Sequence, residues 1–151
     1  MKEAFTHKSL LILGRGIGQV MFQNNALSGL LMLIGIFLNS WQMGLLAVSG
    51  NIISTSTGRI SGYDRDDIKN GLLLINGTLV GIAVGVFMHL TVNSLILMAI
   101  ASCASTYIAR FFNMQRMLPG FTTPFILSVW MLLGLCSWLM PDMLLVSDTE
   151  T

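Results

Sequence analysis

The sequence predicts an all-α membrane protein, with five transmembrane helices preceded by one re-entrant half-helix. Three observations predict it. The 151 residues are 54% hydrophobic and only 10% charged, whereas a soluble domain carries roughly 25% charged residues. Five apolar runs approach the about 20 residues that a membrane helix needs. Ahead of them lies a shorter run, broken by glycines and an arginine, that cannot span. A mean hydropathy of +0.75 fits the same class.

The short run is Ser9 to Phe22. Gly14, Arg15, Gly16 and Gly18 interrupt it, so it reads as a half-helix. Non-helical backbone at membrane depth persists only where protein buries it or where it lines a wet cavity. The leading stretch MKEAFTHKSLLILGRG does not read as a secretory signal. Its apolar core, Leu10 to Leu13, is shorter than the roughly 7–15 residues such a region needs.

The half-helix runs into an amide cluster, Gln19, Gln23, Asn24 and Asn25. Gln19 and Gln23 are i, i+4 and share a helix face. Two readings stay open. Amides can glue helices together, at about 0.6 kcal/mol on average in membranes. Alternatively they line a pore: a helix ending midway through the bilayer leaves its last four carbonyls unpartnered. Such carbonyls and amide oxygens together offer a row of acceptors to a neutral solute rich in N–H donors.

The spans follow in order. The first is Ala26 to Ser40, expected to extend backward through the amide cluster, and the second Trp41 to Gly58, with the break at NSWQ. The third, Gly71 to Leu90, contains Gly77, Gly81 and Gly85 on one stripe, the pattern of close helix packing. Asn76 is the polar exception in that span, placed to brace a neighbouring backbone or to line a cavity. The fourth is Asn93 to Phe112. The fifth, Phe121 to Met140, opens with LPGFTTPF. Pro124 is tolerated there if it falls in the first turn, and Thr122 and Thr123 are candidates to cap that turn. A hydroxyl facing a pore is the other reading. All of residues 1–151 form a single membrane domain on this reading.

Charge sets the orientation. With the half-helix not crossing, Lys2, Lys8, Arg15, Arg59, Arg65, Lys69, Arg110 and Arg116 all fall on one side. The positive-inside rule makes that side cytoplasmic. The N-terminus is then cytoplasmic, in an inner or plasma membrane.

Several function classes drop out. No basic cluster suits nucleic acid. Cys103 and Cys136 lie in apolar spans and read as small hydrophobes, with no ligand spacing for a metal. Asp66 and Asp67 belong to a solvated loop, and His89 reads as an interfacial residue. No cofactor fingerprint and no nucleophile–base pair is present, so an enzyme is not expected. Ion-coupled carriers usually keep charged groups inside the membrane. These spans keep none away from their ends, which favours a passive path for a neutral solute, or no path at all.

The stretches GQVMFQNNALSGLLMLIG, GLLLINGTLVGIAVG and LPGFTTPF resemble, in the same order and at similar spacing, the repeat signature of the urea transporter family. The resemblance runs from about Gly14 to Trp138. It implies a passive channel for urea and small analogues, assembled as trimers with one pore per protomer. It also implies a pore built from two homologous halves of inverted topology, each with five spans and a re-entrant half-helix. The pore resembles a flat slot with phenylalanine faces and acceptor oxygens along its edge. Carried over, Gln19 supplies a side-chain oxygen, Val20 and Phe22 form slot wall, Leu79 is an apolar pore position and Thr122 the hydroxyl at the narrow midpoint. One departure is Ile75, where the family often has phenylalanine. One slot face becomes aliphatic and lacks the quadrupole that attracts N–H edges.

This sequence carries the motif series once, so it is expected to act as one half. The partners implied are the lipid bilayer, urea or a similar solute, and a second half. That half is either another copy, giving an antiparallel dimer (a hexamer if trimers also form), or a different half-transporter. The alternative is a non-transporting membrane subunit or a truncated remnant of a transporter.

Overall fold

A computed structural model describes residues 8, 10–12, 14, 15, 17, 25–63, 75–115 and 122–145. Among these residues the fold is all-helical, with no strand beyond one isolated bridge between Met88 and Leu144. Residues 8, 10–12, 14, 15 and 17 are all helical. Five helices follow: α1 (Ala26–Asn39), α2 (Trp41–Ile60), α3 (Ile75–Phe87), α4 (Val92–Gln115) and α5 (Thr123–Leu139). A 3₁₀ turn, Pro141–Met143, follows α5.

Local chemistry explains where these helices begin and end. Asn25 is extended and caps α1, its Oδ1 accepting from the Leu27 amide at 2.9 Å, so α1 is not continued backward through Asn25 as the sequence reading expects. Ser40 serves two helices. Its amide donates to the Ile36 carbonyl at 2.8 Å, closing α1, and its Oγ accepts from Met43 N at 3.3 Å, opening α2. The single extended residue between two helices falls at the NSWQ break that the sequence predicts. Beyond α2 the chain turns through Gly62 at φ +70°, a left-handed conformation that suits glycine at a helix end. Thr91 and Ser94 exchange side-chain and backbone hydrogen bonds at 3.2 and 2.9 Å. That is a reciprocal capping box at the start of α4.

α4 contains the described segment that is long and apolar enough to cross a membrane, Val92–Phe112. Over their described residues, α1, α3 and α5 are apolar but shorter. The 14 residues of α1 rise about 21 Å, against a hydrocarbon core about 30 Å thick.

α2 and α3 make the closest approach. A Cβ on Gly81 would stand 2.6 Å from the Leu46 carbonyl carbon, and one on Gly50 would stand 3.0 Å from the Gly77 carbonyl carbon. A Cβ on Gly77 would strike the Ser54 side chain. The glycine stripe of α3 therefore works as a packing face, and Gly50 reciprocates from α2. Around this contact lies the apolar core, including Leu46, Val80, Val84, Met98, Val129 and Leu132.

Polarity is distributed inside out. Asn51, Ser54, Thr78, Ser102, Ser105 and Thr106 are buried, while Leu38 is 84% and Trp138 82% exposed. Large exposed apolar surface is unfavourable in water. In hydrocarbon it is the stable arrangement, and polar groups must then satisfy one another inside.

Candidate functional site

Asn76, in the first described turn of α3, clasps the N-terminal end of α5. The Asn76 Oδ1 accepts a hydrogen bond from the Phe125 amide at 3.0 Å, across 49 positions of sequence. The first four amides of a helix have no intrahelical acceptor, and Asn76 serves one of them in α5. Thr122 occupies the N-cap position but makes no side-chain cap bond. The capping expected of Thr122 and Thr123 is thus corrected: a buried amide from another helix takes the role. Thr122 accepts through its carbonyl instead, from Ile126 N at 3.0 Å. Pro124 lies in the first turn, where its missing N–H costs nothing.

This clasp brings two of the three sequence motifs to one place. Ile75 and Leu79 are i, i+4 on α3, on the face opposite Gly77 and Gly81. Since the glycine face meets α2, their face is turned away from that helix. Ile75 is 5% exposed and Leu79 half-buried, as is Thr122. Gln19, Val20 and Phe22 lie outside the described residues, so the first motif is not joined to the other two here.

Behind the clasp runs a polar ladder. Asn51 Nδ2 donates to Thr78 Oγ1 at 2.8 Å, tying α2 to α3. Ser54 Oγ and Thr106 Oγ1 lie 2.6 Å apart, tying α2 to α4. Thr55 Oγ1 donates to the Asn51 carbonyl at 2.8 Å, and Thr106 Oγ1 to the Ser102 carbonyl at 2.8 Å. The motif-based reading missed this ladder. Its signal was available: 51, 54, 55 and 58 on α2 repeat at the helical period, as do 102, 105, 106 and 109 on α4.

A second cluster holds the turn after α2 against α4. Arg110 Nη1 donates to the Ser61 carbonyl at 2.9 Å and lies 5.0 Å from the centroid of the Tyr63 ring. Tyr63 donates to the Thr106 carbonyl at 2.7 Å. Burial pushes the Tyr63 phenol above its ordinary range; Arg110 pulls it down and Tyr107 pushes it up, both by less. Among the described residues, no group of three His, Cys, Asp or Glu is arranged to hold a metal ion. Cys103 and Cys136 are free thiols, and Thr57 Oγ1 lies 3.3 Å from Cys103 Sγ.

The family model described as urea transporter matches residues 10–145, which takes in every described helix from α1 to α5. The chain belongs to the urea transporter family. Urea transporter 1 from Mus musculus is 41% identical over 73 residues, which is 48% of this chain and 19% of that protein. Urea transporter 1 from Rattus norvegicus gives the same identity and coverage, and that from Ovis aries is 38% identical over 73 residues. The match spans about a fifth of the length of these curated relatives. Membership makes this urea transporter family chain a membrane protein, in keeping with its apolar exterior and polar interior.

Proposed function

We propose that this chain is one half of a passive channel for urea or a similar small neutral amide, and that a second, oppositely oriented half completes the pore. The observation that carries the proposal is the family match over residues 10–145. The clasp between Asn76 and Phe125 supports it, because it brings the second and third motif stretches together as one pore wall requires.

On this reading the chain is one five-span repeat with a re-entrant half-helix, acting as a channel and not as an enzyme. Its N-terminus is cytoplasmic, in an inner or plasma membrane. Gln19 offers a side-chain oxygen, Val20 and Phe22 form slot wall, and Ile75 and Leu79 give the aliphatic face. Thr122 offers a hydroxyl at the constriction, and its hydroxyl is not spent on capping α5. Urea carries N–H donors and a carbonyl, and a dry apolar pore would leave them unpaired at a cost of about several kcal/mol. The amides replace the water that the solute sheds.

The completing half is a different half-transporter, or a second copy inserted the opposite way, whose N-terminus then lies outside and which requires the chain to insert in both orientations. Urea-gradient flux into proteoliposomes tests the pore. Wild-type protein is expected to conduct, and Gln19→Leu to reduce the flux at least several-fold. Equal flux in both would remove Gln19 from the pore. No flux above empty liposomes from either would favour a non-transporting subunit.

A further inference from the structure

A cavity of about 450 Å³ lies between the N-terminal helical residues and α1 and α2. We infer that it holds an acyl chain of a phospholipid whose anionic headgroup is met by Lys8 and Arg15.

The walls decide the chemistry. Leu11, Gly14 and Ile17 form one side, Ala26 and Leu33 of α1 another, and Val48 of α2 a third. Among the described lining residues the polar side chain is Asn51, and its amide is engaged: Nδ2 with Thr78 and Oδ1 with Thr55 at 3.3 Å. A buried water needs two to four polar partners, and an apolar cavity of about 150 Å³ prefers an apolar guest such as benzene. This cavity is about three times as large, so it suits a long apolar guest.

The mouth decides the source. Leu10 and Leu30 line the cavity and are 62% and 52% exposed. Leu27, Leu31 and Ile34, on the same helix as Leu30, are also exposed. In a membrane protein such a rim meets hydrocarbon, and lipid chains are the apolar molecules at hand.

The charges decide the headgroup. Residues 10, 11, 14 and 17 lie on the cavity face of the N-terminal helical stretch. Lys8 and Arg15 are i, i+7 and form a stripe next to Leu11 at the edge of that face. Basic residues bordering a cleft between membrane helices attract anionic lipid headgroups. A single lipid satisfies both features, its chain in the cavity and its phosphate over the basic stripe. This inference stands whether or not the channel conducts.

The test uses the full chain in mild detergent, exchanged free of native lipid. Phosphatidylglycerol, phosphatidylcholine and inorganic phosphate are added separately. Native mass spectrometry reads retained lipid and thermal unfolding reads stabilisation. One phosphatidylglycerol per chain is expected, preferred over phosphatidylcholine by roughly thirtyfold for two basic residues. Leu33→Trp, which fills the cavity, is expected to abolish retention of both lipids. Val48→Phe fills it from the opposite wall and serves if Leu33→Trp does not fold. Lys8→Gln with Arg15→Gln is expected to remove the preference and keep the weaker chain binding. Unchanged lipid retention in a folded cavity-filling variant would overturn the proposal. So would stabilisation by inorganic phosphate equal to that by phosphatidylglycerol, or equal retention of the two lipids by wild-type protein.

Discussion

Replacing Asn76 by alanine removes the acceptor that holds the start of α5. Asn76 is 1% exposed, and the Phe125 amide it serves is partly buried. With the acceptor gone, that amide has no intrahelical carbonyl to turn to, because it belongs to the first turn. Leaving such a donor unsatisfied costs about 1–3 kcal/mol. About 2 kcal/mol corresponds to a roughly thirtyfold change in the unfolding equilibrium. Reversible unfolding in mixed micelles would read the loss, and hydrogen exchange at the Phe125 amide would locate it. Exchange there is expected to accelerate in Asn76→Ala, while the amides in the middle of α4 change only as global stability does. A variant within about 0.5 kcal/mol of wild type, with Phe125 exchange unchanged, would refute the clasp. It would also remove the structural reason for placing the second and third motifs side by side.

Three further outcomes follow from the same geometry. Gly81→Val puts branched carbon against the Leu46 backbone and is expected to destabilise by about 1–3 kcal/mol or more; Gly134→Ala, which meets nothing within 4 Å, is expected to be neutral in the same thermal assay. A double-mutant cycle on Ser54→Ala and Thr106→Val is expected to give a coupling of about 0.6 kcal/mol, and zero coupling would dissolve the rung between α2 and α4. The Tyr63 phenol is raised in the folded state above its ordinary value of 10.0. Its contribution to stability is therefore complete below that value and lost as pH rises through the higher folded value. Tyr63→Phe is expected to flatten that alkaline loss, with phenolate absorbance following the titration.

By itself the sequence determined the class of solvent, the order of the helices and several of their ends. Composition alone requires a hydrocarbon environment, since so few charges cannot cover a water-exposed surface. The break at Ser40 and the placement of Pro124 in a first turn were legible because both are local: capping and the missing proline amide act within one turn. The glycine stripe on α3 was legible as a packing face because its period is that of the helix.

Tertiary structure decided which residues answer one another across the chain. Nothing local distinguishes Thr122 and Thr123 from ordinary caps. Asn76 wins that role because α3 delivers its amide oxygen to the Phe125 N–H from 49 residues away. Gly50 looks like any glycine until Gly77 and Gly81 arrive against it. The hydroxyls of α2 and α4 are hydrogen-bond partners only once those helices pack, since a serine or threonine has no partner preference written into its own neighbourhood. Local sequence carries hydrogen bonds that close within a turn; those that close between helices exist only in the assembled bundle.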